Sequence, residues 1–137
     1  MQLNFSIPGD DMDMAGIASS TLKKKLQQIG VDNSIIKRTV VALYEAEINM
    51  VIHGGGGDIT INVTPTEIQC ELVDQGPGIA DVNLAMQEGY STAPDNIRAL
   101  GFGAGMGLPN MKNYSDAMKI DSVVGKGTTI ELKFKVS

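Results

Sequence analysis

The sequence contains a single cysteine, Cys70, a single histidine, His53, and no tryptophan. One cysteine excludes both an internal disulfide and a cysteine cluster for zinc, so we expect a reducing compartment. One histidine means that a Ser-His-Asp triad or a multi-histidine metal site would have to be built on His53 alone. Functions based on disulfides, on zinc or on a catalytic triad are therefore disfavoured.

Long apolar runs and an excess of basic charge are also missing. No run is long enough to span a bilayer, and residues 1–5 lack the basic and then apolar order of a secretory signal. We therefore expect no membrane partner and a cytoplasmic location. The 11 Lys and Arg residues are outnumbered by 16 Asp and Glu, which gives a net charge of -5. Nucleic-acid-binding domains normally carry a basic patch, so a protein partner is expected and a nucleic acid is not.

The overall composition is that of a folded protein. Hydrophobic residues make up 42% and charged residues 20% of the 137 positions. This balance is ordinary for a globular chain, and the length suits one domain with one core. We predict a single domain over residues 1–137.

Hydrophobic periodicity predicts an α+β fold, because helical and alternating segments are separated along the chain. The segment 88–102 has glycine, proline and small polar residues without a periodic pattern, which indicates a loop that moves. Helices are predicted over 14–29, from 32 or 33 to a glycine-rich exit at 54–57, and over 107–118. Residues 81–86 also have local helical character. Strands are predicted at a sheet edge over 3–7, as a hairpin over 59–63 and 67–73, and as a final pair over 119–124 and 128–136.

Three polar residues are spaced four apart on the second predicted helix. Glu45, Asn49 and His53 drift by only about 40° per step around a helix, so they form one stripe. An amide oxygen from Asn49 suits Mg²⁺, which prefers oxygen ligands. Glu45 could accept a proton from a hydroxyl or water beside a γ-phosphate. This pattern is weak, and taken alone it is better explained as an ordinary polar stripe on a half-buried helix.

Two glycine-rich turns follow that helix. Asp74 ends an apolar strand and precedes Gly76, Gly78 and Ile79. A carboxylate there could accept the exocyclic amine of adenine, while glycines let the backbone approach the ring. A plain Asp-x-Gly turn is the alternative. The second turn has its glycines immediately before a predicted helix, where free amides can hold phosphates. Its residues are Gly103, Ala104, Gly105, Met106, Gly107 and Leu108.

Taken together, these motifs resemble those of the GHKL ATPases. Glu45-x-x-x-Asn49, Asp74-x-Gly76-x-Gly78 and Gly103-x-Gly105-x-Gly107 look like the N, G1 and G2 boxes of that superfamily, in their order and approximate spacing. The segment 125–129 is similar to a late Gly-x-Gly-Thr segment whose threonine, here Thr128, lies near the adenine. The resemblance covers roughly residues 35 to 136. It implies a Bergerat fold, which is a two-layer α/β sandwich with a mostly antiparallel mixed sheet and helices on one face.

Within the superfamily, the sequences around Asn49–Gly54, around 85–92 and around Gly107–Pro109 look most like the small bacterial serine kinases that regulate sigma factors. The resemblance implies ATP and Mg²⁺ as cofactors, with Asn49 as magnesium ligand, Glu45 as catalytic base and Asp74 as adenine reader. It also implies phosphate contacts from the 103–107 glycines and an ATP lid over 88–102. His53 is interpreted as a hydrogen-bonded part of the nucleotide site rather than as a phosphoacceptor.

The implied function is transfer of the ATP γ-phosphate to a serine or threonine of a STAS-domain antagonist protein. Two other hypotheses stay open. One is a nucleotide-gated binding module that sequesters a sigma factor or another regulator without phosphate transfer. The other is a detached histidine-kinase catalytic domain, which is disfavoured because no dimerisation helix with its own phosphoacceptor histidine is present. A homodimer is a further candidate assembly.

Overall fold

A computed structural model describes residues 1–9, 14–76 and 107–136, and it has helices on one face of a five-stranded sheet. The strand order is β1-β2-β3-β5-β4, and each pairing is antiparallel. The predicted α+β sandwich is confirmed. The elements are β1 (Gln2–Pro8), α1 (Ile17–Gln28), α2 (Asn33–Gly54), β2 (Gly56–Val63), β3 (Glu67–Asp74), α3 (Gly107–Tyr114), β4 (Ala117–Val123) and β5 (Gly127–Lys135).

The sheet is apolar on one face only, because its strands alternate inward and outward side chains. In β3, Leu72 lies opposite Ile59 of β2 and Ile130 of β5, and all three are buried. Cys70 belongs to the same layer, and burial raises the pKa of its thiol to about 12. The cysteine is therefore an inert packing residue. The helices cover this face, so the core lies between the two layers.

Helix α2 begins and ends where the sequence indicates. The Asp32 carboxylate caps its start by accepting a hydrogen bond from the Ser34 N–H at 2.8 Å. Gly55, with φ of 70°, closes its end by donating its N–H to the Met50 carbonyl. Both ends of this predicted helix are confirmed. In the ranges that the structure describes, no helix is both long enough and apolar enough to cross a membrane.

Three boundaries differ from the prediction. Helix α1 begins at Ile17 rather than at residue 14, and residues 56 and 57 belong to β2 rather than to a glycine-rich exit from α2. Helix α3 ends at Tyr114, and Met118 lies in β4 opposite Leu132 instead of on the helix. The predicted helical segment 81–86 and the loop 88–102 lie outside the described residues.

The early end of α3 has a physical cause in the next turn. The Asp116 N–H donates to the Lys133 carbonyl at 2.8 Å, and the Asp116 carboxylate accepts from the Lys135 N–H at 2.6 Å. The Arg38 guanidinium lies 3.3 Å from the same carboxylate. The hydrogen bond from Lys135 is the main reason that the pKa of Asp116 lies below its usual value. These contacts draw the chain onto β5, so the helix cannot continue.

Helix α1 is held at its start by a buried carboxylate of α2. Glu47 is fully buried, and its side chain accepts hydrogen bonds from the backbone N–H groups of Gly16, Ala18 and Ser19 at 2.8, 3.1 and 2.9 Å. The first N–H groups of a helix have no partner within the helix, and a negative charge near them is favourable. Glu47 therefore fixes α1 against α2.

The pH dependence of the unfolding free energy should reveal the raised pKa of Glu47. Burial raises the pKa of Glu47, an effect larger than the opposing hydrogen bonds. Its contribution to stability is therefore full below the unfolded pKa of about 4.3. That contribution is lost as the pH rises through the folded value. In urea titrations between about pH 4 and pH 7, the unfolding free energy of the wild type minus that of Glu47→Gln should fall with rising pH. A flat difference would contradict this assignment.

Candidate functional site

Asp74, at the end of β3, is the centre of the candidate site. It is only 8% exposed. Its Oδ1 accepts hydrogen bonds from the Gly76 N–H at 3.0 Å and from the Thr128 N–H at 3.2 Å. The structure thus brings together three predicted site residues that come from β3, from the turn after it and from β5. A carboxylate held by two backbone donors has a fixed orientation and keeps its second oxygen for another partner.

Glycines surround this carboxylate closely. A Cβ on Gly54, the last residue of α2, would lie 2.5 Å from Asp74 Cγ and 2.6 Å from Oδ2. A Cβ on Gly127 would lie 2.2 Å from the Asp74 carbonyl oxygen, and the φ of Gly127 is 123°. Real side chains do not tolerate such distances, so both positions require glycine. The end of α2 and the start of β5 therefore approach Asp74 from two sides.

The Gly54→Ala variant should lose nucleotide binding while it keeps its fold. The added methyl group would push the Asp74 carboxylate away from its two donors, and we expect affinity for ADP to fall at least tenfold. Gly55→Ala is a matched control, because a Cβ there meets nothing within 4 Å, although its φ of 70° makes alanine unfavourable. Calorimetric titration with ADP and thermal unfolding would be measured for both variants. Equal affinities in the two variants would contradict the proposed crowding of Asp74.

The polar stripe of α2 runs toward the same corner. Glu45, Asn49 and His53 are all partly exposed, and His53 directly precedes Gly54. Burial lowers the pKa of His53, and the nearby negative charge of Asp74 opposes this effect. The imidazole is therefore neutral near pH 7, which suits a hydrogen-bonding group rather than a cation. The interpretation of His53 as a hydrogen-bonded group rather than a phosphoacceptor stays a prediction.

Helix α3 packs beside the stripe and contributes a residue that sequence reasoning missed. The Asn110 side-chain amide donates to Glu45 Oε1 at 3.5 Å, a long hydrogen bond between α3 and α2. Gly107 begins α3, and Leu108 is buried in the core with only 6% exposure. The other predicted residues of the two glycine-rich turns lie outside the described part of the chain. They are Gly78, Ile79, Gly103, Ala104, Gly105 and Met106.

The residues present fit an adenine nucleotide. Asp74 offers a buried acceptor whose Oδ1 is held by two backbone N–H groups, and the glycines at 54 and 127 let the backbone pack closely around it. Within the described ranges, no group of three His, Cys, Asp or Glu side chains could hold a metal. Mg²⁺ bound with ATP needs no such group, because substrate phosphates and waters supply most of its ligands. One amide ligand from Asn49 is compatible with that chemistry.

Residues 8–134 match the family model of the histidine kinase-like ATPase domain. The chain belongs to this ATPase family. Its relatives include the anti-sigma F factor of Clostridium acetobutylicum, which is 31% identical over 98% of this chain and 92% of the relative. The anti-sigma F factor of Priestia megaterium is 34% identical over 97% and 90% of the two chains. The resemblance to the GHKL superfamily and its anti-sigma branch is thereby confirmed, and ATP as the ligand follows from the family.

Solved structures show the same fold. The RsbU and RsbW domains of Rv1364c from Mycobacterium tuberculosis align with a TM-score of 0.69 and 19% identity, covering 99% of this chain and 32% of that one. The SiaB-SiaC complex from Pseudomonas aeruginosa aligns with a TM-score of 0.61 and 13% identity, covering 96% and 88%. At these identities the likeness establishes the architecture of the histidine kinase-like ATPase fold and nothing about partners.

Proposed function

We propose that this chain, as one domain over residues 1–137, is an ATP-dependent serine/threonine protein kinase that phosphorylates a STAS-domain antagonist protein. The observation that carries the proposal is the convergence of two sequence-distant groups at one end of the sheet. Asp74 with Thr128 forms one group, and the other is the C-terminal end of the α2 stripe, where His53 and Gly54 lie beside Asp74 two turns after Glu45. A phosphate-transferring site needs a buried acceptor for the nucleobase, and it needs a carboxylate that can act as general base on the adjoining helix.

The adenine end of the site is assigned to four residues. The Asp74 carboxylate accepts the exocyclic amine, and Gly76 and Thr128 hold that carboxylate in place through their N–H groups. His53 lies beside them as a neutral imidazole. Among the described residues both backbone donors bond Oδ1, and we assign Oδ2 to the adenine amine. We also assign Gly78 and Ile79 to the adenine end, because they follow Asp74 in the Asp74-x-Gly76-x-Gly78 motif.

The phosphate end is assigned to α2 and to the start of α3. Asn49 would hold Mg²⁺ through its amide oxygen, and Gly107 with the N–H groups at the start of α3 would face the phosphates. Bound ATP supplies a γ-phosphoryl group whose charge Mg²⁺ helps to neutralise. From the motif we also assign Gly103 and Gly105 to the phosphates, and Ala104, Met106 and Leu108 to nucleotide binding more generally.

Glu45 is assigned as the catalytic base, one turn before Asn49 on α2. Its Oε1 receives the Asn110 amide, so Oε2 can accept the proton of the acceptor hydroxyl. Little covalent chemistry is demanded of a protein in phosphoryl transfer, so positioning and charge stabilisation account for most of the rate.

A transfer assay with purified STAS-domain antagonists from the same genome tests the proposal. The protein is incubated with γ-labelled ATP and Mg²⁺, and each antagonist is compared with a variant whose acceptor serine is alanine. Label on the natural antagonist and not on its alanine variant would support the kinase. No label on any antagonist, with ATP bound, would contradict it.

A nucleotide-gated anti-sigma binding module is the second candidate, favoured by the names of the relatives. In this case, ATP would change the affinity for a sigma factor or another regulator without phosphate transfer. Recovery of a sigma factor on the immobilised protein would depend on the nucleotide, and no phosphate would appear on any partner.

We also propose that the protein forms a homodimer. Analytical ultracentrifugation with and without ATP would test this assembly.

A further inference from the structure

The side chain of Asn110 reaches from α3 to the residue that is assigned as the catalytic base. Its Nδ2 lies 3.5 Å from Glu45 Oε1. Within the described ranges, Asn110 is the only hydrogen-bond donor to the Glu45 carboxylate, and no ion pair involves Glu45. An ionised carboxylate only accepts hydrogen bonds, so the NH₂ group of Asn110, and not its oxygen, faces Glu45.

The backbone that carries Asn110 is fixed by its neighbours. Pro109 and Met111 lie on either side of it in sequence, and both are buried. The Met111 carbonyl also accepts the Ser115 N–H at 3.1 Å, where α3 ends. The side chain of Asn110 is itself only partly exposed. Its amide is therefore presented to α2 from a rigid helix, which is what a positioning group requires.

Glu45 depends on such a partner, because α2 fixes its backbone more firmly than its carboxylate. Ala46 and Glu47, the next two residues, are fully buried, whereas Glu45 is partly exposed. A glutamate side chain has three rotatable bonds, and their freedom must be lost before an oxygen faces one point. Misplacing a reacting group by about 1 Å can lower a rate about a hundredfold. A neutral amide orients the carboxylate and leaves its charge in place.

Helix α3 also connects the base to the assigned phosphate end. Gly107 begins α3, and Asn110 lies three residues later, in the first turn. The N–H groups of this turn are the ones that are assigned to the phosphates. One rigid element would therefore face the phosphates with its backbone and Glu45 with a side chain. Such an element sets the distance between the transferred group and the base.

We propose that Asn110 is a positioning residue for phosphate transfer, which holds the Glu45 carboxylate in the orientation that accepts the proton of the acceptor hydroxyl. This inference rests on the proposed kinase function and extends the site to a residue outside the three sequence boxes. Asn110 itself touches neither ATP nor the antagonist in this scheme. The alternative is a polar contact that only joins α3 to α2, and the two roles differ in their kinetic effects.

Single-turnover transfer to the antagonist that the wild type labels, measured for Asn110→Ala and Asn110→Leu, tests the proposal. Neither side chain has a donor, and leucine is close to asparagine in size and shape. We expect the transfer rate constant to fall about tenfold in both variants, the effect of losing a hydrogen bond to a charged group. The dissociation constant of ATP and the antagonist concentration at half-maximal rate should change by less than about twofold.

Asn113 provides the matched control. It is an exposed asparagine one turn later on the same helix, so Asn113→Ala and Asn113→Leu make the same changes away from Glu45. We expect both to transfer phosphate at the wild-type rate. If Asn110→Leu kept the wild-type rate and Asn110→Ala did not, Asn110 would only pack α3 against α2, and the proposal would be overturned.

Combination with Glu45→Gln shows whether Asn110 acts through Glu45. The base is absent in that background, so Asn110→Leu should slow the remaining transfer by less than about twofold. An equal fold-loss in the presence and absence of Glu45 would show that the two residues act independently, and it would also overturn the proposal.

The wild type separates this inference from the proposed function. If it binds ATP and labels no antagonist, the kinase is refuted, and the positioning role with it. If it labels an antagonist, and both Asn110 variants are folded by thermal unfolding and transfer at the wild-type rate, the positioning role alone is refuted.

Discussion

Glu45→Gln should lower phosphate transfer to the antagonist about 10²-fold to 10⁴-fold, the usual contribution of a general base. Glutamine has the same shape and still presents an oxygen to the Asn110 amide, but it cannot accept the proton of the acceptor hydroxyl. The nucleotide is bound by other residues, so the dissociation constant of ATP should change by less than about twofold. Single-turnover transfer and calorimetric titration measure the two quantities separately.

Glu71→Gln is the matched control for this variant. Glu71 lies on β3 with an exposed side chain, so the same change of charge occurs away from the site. We expect no effect on transfer or on binding. A parallel loss of transfer and of ATP affinity in Glu45→Gln would show that Glu45 holds the nucleotide rather than the proton, and the assignment as base would be wrong.

Short-range signals in the sequence predicted most of the fold. Asp32 and Gly55 mark the ends of α2 because capping depends on residues adjacent to the helix. The hairpin of β2 and β3 was predicted from alternating β-branched residues on either side of residues 64–66, and its antiparallel pairing is confirmed. Such signals are local, so a sequence pattern is sufficient to find them.

Boundaries that depend on distant contacts were not predictable. The apolar positions Leu108, Met111, Tyr114 and Met118 fit helical spacing, yet the chain leaves the helix because Asp116 bonds to β5. The start of α1 depends similarly on Glu47, about thirty positions further along the chain. Glu47 gives no sign of this role, since an acid next to a polar stripe looks like a surface residue.

The candidate site shows the same contrast between local sequence signals and contacts that depend on the fold. The motifs indicated Asp74, Gly76 and Thr128, and the structure brings these three together. The contacts of Asn110 with Glu45 and of Ser122 with Thr128 were missed, because neither residue belongs to a glycine-rich pattern. These contacts follow from which strands and helices are neighbours, which a single sequence does not provide.

The second large effect is expected from Asp74→Asn, which should weaken ADP and ATP binding at least about a hundredfold. The amide oxygen of asparagine can replace Oδ1 and keep the hydrogen bonds from Gly76 and Thr128, so the fold should be retained. Its NH₂ group replaces Oδ2 and would face the exocyclic amine of adenine, donor against donor. One buried polar group on each side would then be left without a partner.

The same substitution should change the preferred base. Inosine nucleotides carry an oxygen acceptor where adenine has its amine, and that oxygen can receive the new NH₂ group of Asp74→Asn. We therefore expect the ratio of IDP affinity to ADP affinity to rise at least about tenfold relative to the wild type. Asp58→Asn, at an exposed position in β2, is the control and should leave both affinities unchanged. If Asp74→Asn weakened ADP and IDP by the same factor, the carboxylate would be a structural element of the β3 turn, and the adenine would have to be read elsewhere.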